Sequence, residues 1–511
     1  MSKTKTYQQP DEVISLDDLK RFLWDAATHL RGQIDAAGYK EYIFPMLFFK
    51  RISDVYDEQF DGYVHEGGVD YANEQAKDLA IHIPDGAHWD DVRRVTENVG
   101  QALVQAFIDI EQANPARKVG SRMVGGLEGI FGPKDGWTNK NKMPDHVITS
   151  LIEDFSRYNL SLSHCPADEM GQAYEYLIGK FADDAGNTAQ EFYTNRTVVQ
   201  LMAEILQPKP NESIYDPTCG SGGMLVKCLD YLRNKDEEWQ GVHVYGQEIN
   251  GLTSSIARMN LYLNGVEDFS IACADTLSAP AFTEGSKLKT FDVVLANPPY
   301  SIKEWNRTAF EHDKWGRNFL GTPPQARADY AFIQHILKSM NPETGRCAIL
   351  LPHGVLFRKE EKEIRQKLFD EHDLLTCVIG IGPNLFYNSP MEACILIFQS
   401  RKSELLRNKV FFINGVKEVT RKNGESYLER KHIDKIADAL LNNKEEDRFS
   451  RIVDVGEIRD NDYSLNIPLY VNAYEKDEGE FQFDFNRCLS LWKRAHKELD
   501  GALGILINQL N

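Results

Sequence analysis

Four short segments hold residue types that could do chemistry together. The first is Asp216-Pro217-Thr218-Cys219-Gly220-Ser221-Gly222-Gly223. Glycines let the backbone turn sharply and approach a ligand, and a helix opening there offers free N–H groups. The spacing does not match GxGxxG, and GxxxxGK[ST] is absent from the whole chain, which excludes ATP hydrolysis through a phosphate loop. The second and third are single carboxylates, Glu248 and Asp275, each closing an apolar run. An acidic side chain at the end of a second strand can accept from both hydroxyls of a ribose. With Asp216, three successive runs end in a carboxylate. The fourth is Asn297-Pro298-Pro299-Tyr300. Two prolines cannot extend a strand ladder, so they stiffen a loop. The Asn297 amide and the Pro298 carbonyl can accept hydrogen bonds from an exocyclic amine, and Tyr300 can stack on a planar base. Taken singly, these segments also fit a tight turn, a surface Glu and an ordinary loop; their succession favours a site.

Such residues need a scaffold. From about residue 190, strand-length apolar runs alternate with helical stretches. The runs are 213–215, 242–247, 270–272, 291–296, 347–351, 374–379 and 394–399. The helical stretches include 223–233, 252–263, 329–340 and 359–371. This alternation predicts a mostly parallel sheet covered on both faces. Upstream, Leu16, Leu19, Leu23, Ala26 and Leu30 recur at helical spacing after Ser15, a capping residue. A second apolar segment spans 39–52, a Gly-rich connection covers 120–137, and a helix is expected over 168–183 with Met170, Ala173, Tyr174, Leu177 and Phe181 on one face. Beyond about residue 420 the chain turns polar. It ends in a helix whose stripe, Trp492, Ala495, Leu499, Leu503, Leu506 and Leu510, needs a cover. The expected division is 1–160, 161–420 and 421–511.

Composition narrows the classes. At 511 residues about three domains are expected, and 42% apolar with 26% charged residues excludes global disorder. No apolar run reaches the length of a membrane span. The segment MSKTKTYQQPDE lacks the apolar core of a signal peptide. Eight cysteines stand singly without CxxC, so neither a disulfide framework nor a zinc or other metal site is expected, and a cytoplasmic setting fits. The net charge of −19 argues against a chain that grips nucleic acid alone.

DPTCGSGG, Glu248, Asp275 and NPPY together resemble a class I S-adenosylmethionine-dependent methyltransferase of the amino-group type. Over nearly its whole length the chain resembles the modification (methyltransferase) subunit of type I restriction-modification systems. The matching pieces are LWDAATHLRG, YKEYIFPMLFFKRISD, DEMGQAYEYLIGKFA, EFYTNRTVVQLM and NDYSLNIPLYV. NPPY alone is shared with protein-glutamine and ribosomal RNA methyltransferases; the combination is more specific.

The resemblance implies a Rossmann-like α/β methyltransferase domain over 161–420, an all-α N-terminal domain over 1–160 and a C-terminal helical extension over 421–511. Glu191, Phe192, Tyr193, Thr194, Asn195 and Arg196 would form the loop over the methionine half of S-adenosylmethionine, with Asn195 where the family usually has Pro. Asp216, Gly220, Ser221, Gly222 and Gly223 would lie beside that cofactor, Glu248 on its ribose and Asp275 at its adenine. Asn297, Pro298, Pro299 and Tyr300 would hold a target adenine, with Phe386 as a second stacking aromatic; core packing is the plain reading of Phe386. The implied activity is site-specific adenine-N6 methylation of double-stranded DNA. The implied partners are a DNA specificity subunit, with two copies of this chain per specificity chain, and a separate ATP-dependent restriction subunit. Lys303, Trp305, Arg307, Lys314, Trp315 and Arg317 have the composition of a strand-contacting loop, or of a solvated one. A protein-glutamine or RNA methyltransferase is disfavoured by the long N-terminal helical region and the C-terminal region. A non-catalytic scaffold is disfavoured by the intact carboxylates and NPPY.

Overall fold

Ser15 starts the first helix as its type predicts: its hydroxyl accepts from the Asp18 N–H at 3.2 Å. The computed structural model describes residues 13–30, 34, 38–119, 122–184, 194–300, 302–385, 392–422 and 425–472. Its N-terminal part is built on α1 (Leu16–Thr28), α2 (Lys40–Gly67), α3 (Val99–Ala113), α4 (Asp145–Phe155) and α5 (Ala167–Asp184). Every residue of α2 from 42 to 53 is buried, so this segment is the axis of the bundle. The Arg51 guanidinium donates to the carbonyls of Ser161 (2.9 Å) and Cys165 (2.6 Å), fixing the turn that leads into α5. Met170, Ala173, Tyr174, Leu177 and Phe181 of α5 are buried in the same core, which therefore runs past residue 160.

After α6 (Arg196–Leu206) the chain builds a nine-stranded sheet. Its strands are β1 (Ser213–Asp216), β2 (His243–Glu248), β3 (Phe269–Cys273), β4 (Val293–Ala296), β5 (Arg346–Pro352), β6 (Leu375–Ile381), β7 (Ala393–Gln399), β8 (Lys409–Gly415) and β9 (Ser450–Asp454). The spatial order is β3-β2-β1-β4-β5-β7-β6-β8-β9. Only β7 and β9 run against the other strands. The inner strands are buried on both faces and read as continuous apolar runs. In β4, Val293 and Leu295 pack with one layer while Val294 and Ala296 pack with the other. The helices α7 (Gly223–Arg233), α8 (Gly251–Leu263), α9 (Asp329–Lys338), α10 (Lys362–Asp370) and α11 (Arg430–Leu441) cover the sheet. Ile256, Met259 and Leu263 of α8 also join the helical core, so the bundle packs directly on the sheet's helical layer.

The sheet does not stop at residue 420. β9 pairs with β8, and α11 lies over them, so residues 425–472 complete the sheet rather than forming a region apart. Their polar character reflects in part an edge strand on which Arg451 and Asp454 are exposed. No described helix is long and apolar enough to cross a membrane.

Candidate functional site

The strand order reverses between β1 and β4, and that switch point is where doubly wound sheets bind ligands. A cavity of about 270 Å³ opens there, at the C-terminal ends of β1, β2 and β4. Asp216 ends β1 and lines it. Its Oδ1 accepts from the Thr218 N–H at 2.9 Å, and its Oδ2 is buried without a hydrogen-bond partner among the described residues. Burial, with the nearby charge of Glu248 adding to it against the Thr218 N–H, pushes its carboxyl up to about 7. The turn that follows needs glycine: Gly220 and Gly222 have φ of 52° and 77°. Gly222 caps α7 and stands behind the wall, whereas Gly220, Ser221 and Gly223 line the cavity.

Glu248 ends β2 and fastens the turn to it. Its Oε2 accepts from the Gly220 N–H (3.1 Å) and its Oε1 from the Asn250 N–H (2.8 Å). Burial raises its carboxyl above the ordinary value. Asp275, just past β3, also faces the cavity; its Oδ1 accepts from the Leu277 N–H at 3.0 Å. Beneath it, the buried Gln247 amide donates to the carbonyls of Ala274 (3.1 Å) and Ala279 (3.0 Å), tying β2 to the segment that carries Asp275.

Asn297 and Pro299 complete the wall from the end of β4. Asn297 Nδ2 donates to Thr194 Oγ1 at 2.8 Å, and Asn297 Oδ1 accepts from the Tyr300 hydroxyl at 2.6 Å. Burial holds the Tyr300 hydroxyl well above its ordinary value, so it stays a donor. Pro298 and Tyr300 do not themselves line the cavity. Thr194 and Arg196 do, whereas Asn195 caps α6: its Oδ1 accepts from the Thr197 N–H at 3.0 Å. Glu191, Phe192, Tyr193 and Phe386 lie outside the described residues.

Sequence reasoning missed Glu175, Lys227 and Thr276, which also line the cavity. Glu175 reaches it from α5 and pairs with Arg196 at 3.0 Å. It flanks the apolar stripe of α5, and no periodicity marks it. Four carboxylates (Glu175, Asp216, Glu248 and Asp275) thus face two cations, Arg196 and Lys227. Each cation already has an acidic neighbour, Glu175 and Asp230. Such a lining suits a cationic ligand with hydroxyl groups.

The basic and aromatic loop after Tyr300 departs from its sequence reading at one residue. Arg317 is 1% exposed and cannot contact a strand. Its guanidinium pairs with the buried Asp313 (2.6 Å) and donates to the carbonyls of Thr276 (3.0 Å) and Leu277 (2.7 Å). Lys303 and Lys314 are exposed.

A sheet of this order, with a glycine turn, acidic strand ends and an NPPY loop, is that of a class I S-adenosylmethionine-dependent methyltransferase. The N-6 DNA methylase family matches residues 166–479, and the HsdM N-terminal domain matches residues 19–155. The type I restriction enzyme MjaVII methylase subunit of Methanocaldococcus jannaschii is 30% identical, over 96% of this chain and 84% of that protein. The MpnII methylase subunit of Mycoplasma pneumoniae is 28% identical, over 94% and 92%. The crystal structure of the type I restriction-modification methyltransferase subunit from Streptococcus thermophilus superposes with a TM-score of 0.77 at 30% identity, over 90% of this chain and all of that one. The chain belongs to the N-6 DNA methylase family, as a methylase subunit of the type I restriction-modification kind.

Proposed function

We propose that the cavity binds S-adenosylmethionine and that Asn297 to Tyr300 hold the N6 amine of an adenine flipped out of double-stranded DNA. The observation that carries this reading is the convergence of Asp216, Glu248, Asp275 and Asn297 on one cavity at the switch point. The buried Asp216 Oδ2, without a hydrogen-bond partner among the described residues, and the acidic lining fit a molecule that carries two positive charges and a ribose. Bound there, S-adenosylmethionine supplies an electrophilic methyl group on a sulfonium sulfur. Glu248 would accept from the ribose hydroxyls and Asp275 would face the cofactor adenine. The glycine turn would approach the cofactor closely, and residues 191–196 would close over its methionine half.

The exocyclic nitrogen of adenine is a poor nucleophile because its lone pair is delocalised into the ring. Asn297 Oδ1 and the Pro298 carbonyl would accept its two N–H groups and favour a more tetrahedral nitrogen with the lone pair aimed at the cavity. An amide oxygen has two lone pairs, so the Tyr300 hydroxyl leaves one for the amine. Neither acceptor is a base at neutral pH, so the amine keeps its protons until its new bond has formed. Much of the rate enhancement then comes from positioning. Extruding the base costs a few kcal/mol, offset in part by stacking on Tyr300 and Phe386.

The active form would be a complex with a DNA specificity subunit, two copies of this chain per specificity chain, to which a separate ATP-dependent restriction subunit can add. Sequencing that maps N6-methyladenine in the DNA of a host carrying both subunits tests the reading. One defined methylated sequence is expected, and it should vanish in Asn297→Ala. Calorimetry should show that this variant binds S-adenosylmethionine within about threefold of the unsubstituted chain. Near-normal methylation by Asn297→Ala, or methyl transfer to protein or RNA in place of DNA, would overturn it.

A further inference from the structure

Asn297 does not stand free at the end of β4. Its amide is pinned at both ends, by Thr194 Oγ1 at 2.8 Å on Nδ2 and by the Tyr300 hydroxyl at 2.6 Å on Oδ1. The two partners differ in origin. Tyr300 belongs to the same tetrapeptide, whereas Thr194 comes from the segment that enters α6, 103 residues earlier in the chain.

We infer that Thr194 is a positioning residue for methyl transfer: its hydroxyl oxygen, by accepting from Asn297 Nδ2, sets the direction and acceptor strength of Asn297 Oδ1. This rests on the reading of Asn297 given above. An amide on a single bond can swing about its terminal torsion, which has a broad energy well. A second hydrogen bond at the other end removes that freedom. It also polarises the amide, because donating an N–H makes the carbonyl oxygen of the same group a stronger acceptor. Asn297 Oδ1 is the atom that must meet the amine, so both effects fall on the reacting geometry.

The residues that follow Thr194 are held from two directions. The next residue, Asn195, caps α6 through Oδ1, which accepts from the Thr197 N–H (3.0 Å) and hydroxyl (2.7 Å). Asn195 Nδ2 donates to the Ser426 carbonyl at 3.0 Å, and the Leu428 N–H donates to Thr197 Oγ1 at 2.9 Å. The strand Glu425–Tyr427 and the residues after it thus brace the segment whose hydroxyl braces Asn297. This also accounts for Asn at position 195. Its φ of −53° is one a proline could adopt, but only a side chain with both a donor and an acceptor can cap α6 and reach Ser426 at once.

The test uses the full chain assembled with its specificity subunit on its mapped site, and compares Thr194→Val with Thr194→Ser. Valine keeps the shape and removes the acceptor; serine keeps the acceptor. For Thr194→Val the single-turnover rate at saturating S-adenosylmethionine should fall about tenfold to a hundredfold, the effect of a misdirected acceptor. Because Thr194 also lines the cavity, cofactor affinity is measured separately and the rate is compared only at saturation; Thr194→Ser should recover that rate to within about threefold. An unchanged rate in Thr194→Val would overturn the inference. So would a loss confined to cofactor affinity, or failure of serine to restore the rate. If the unsubstituted complex methylates no adenine, the reading of the site fails first and this inference with it.

Discussion

Glu248 and Asp216 face the same cavity but meet it differently. Both Glu248 oxygens already accept a backbone N–H, so the side chain holds the glycine turn in shape and still has lone pairs to offer. Glu248→Ala removes both roles, and S-adenosylmethionine affinity should fall by roughly 1.5–3 kcal/mol, about tenfold to a hundredfold. Calorimetry measures this, and an unchanged dissociation constant would move the ribose contact elsewhere. Asp216 should write itself into the pH dependence. Burial lifts its carboxyl from an ordinary 3.8 to about 7, so near neutrality the folded protein holds a proton that the unfolded chain has released. Without ligand, the group therefore costs stability progressively as pH rises from the unfolded value to about 7. A cationic ligand favours the carboxylate, so binding below pH 7 should release a proton. Affinity should climb as pH rises toward about 7 and level off above it. Titration calorimetry in buffers of different ionisation enthalpy counts that proton. Asp216→Asn should abolish the release near pH 7, and an unaltered profile in that variant would remove Asp216 from the binding site.

The loop after Tyr300 is organised from inside. Arg317 and Asp313 form a pair with both side chains 1% exposed, and Arg317 Nη1 lies 3.3 Å from His335 Nδ1, whose Nε2 meets the Tyr215 hydroxyl at 3.1 Å. This chain of contacts joins the loop to α9 and to β1, one residue before Asp216. Arg317→Met leaves the Asp313 charge buried and unpaired and should cost about 3–5 kcal/mol of stability in a denaturant titration. It should leave the salt dependence of DNA binding by the assembled complex unchanged. The exposed Lys303 and Lys314 are the contrast: if they meet phosphates, alanine at either should reduce that slope by about one. A reduced slope in Arg317→Met with unchanged stability would return Arg317 to the DNA surface. Arg317 also marks how far this architecture is legible in sequence. A basic residue among aromatics reads the same whether its fork faces a phosphate or three buried oxygens; only the Asp313 spacing hints at a pair. The inner strands were legible because burial on both faces writes an unbroken apolar run, and the helix over 223–233 matches α7 residue for residue. β8 and β9 were passed over, the latter because an edge strand shows water half its residues. Asp216, Glu248, Asp275 and Asn297 were legible because each closes a strand or follows one within two residues. Glu175 was not, because it meets the cavity only through the packing of α5 against the sheet's helices.

At the scale of the whole chain, charge and the apolar stripe near its C-terminus bear on the same question of assembly. A net charge of −19 repels a polyanion, and DNA affinity is carried mainly by Lys and Arg neutralising phosphates. Alone, the chain should bind DNA weakly and without sequence preference, and a specificity subunit should supply both grip and address. Native mass spectrometry of the assembled complex should show two copies of this chain per specificity chain. The stripe of Trp492, Ala495, Leu499, Leu503, Leu506 and Leu510 is a candidate dock, although it lies outside the described residues. The stripe lies beyond the match to the N-6 DNA methylase family, which ends at residue 479. Every described residue lining the cavity lies between 175 and 332, so removing residues from Phe485 onward should leave S-adenosylmethionine binding within about threefold of the full chain. The same truncation should prevent assembly with the specificity subunit and abolish methylation of its defined sequence. A stripe of this length left exposed would promote association with something, so the full chain on its own should also self-associate more than the truncated one in sedimentation velocity. If the truncated chain still assembles, the stripe folds back on its own domain and the dock lies elsewhere. If the full chain alone methylates one defined sequence, the need for a separate specificity subunit is refuted.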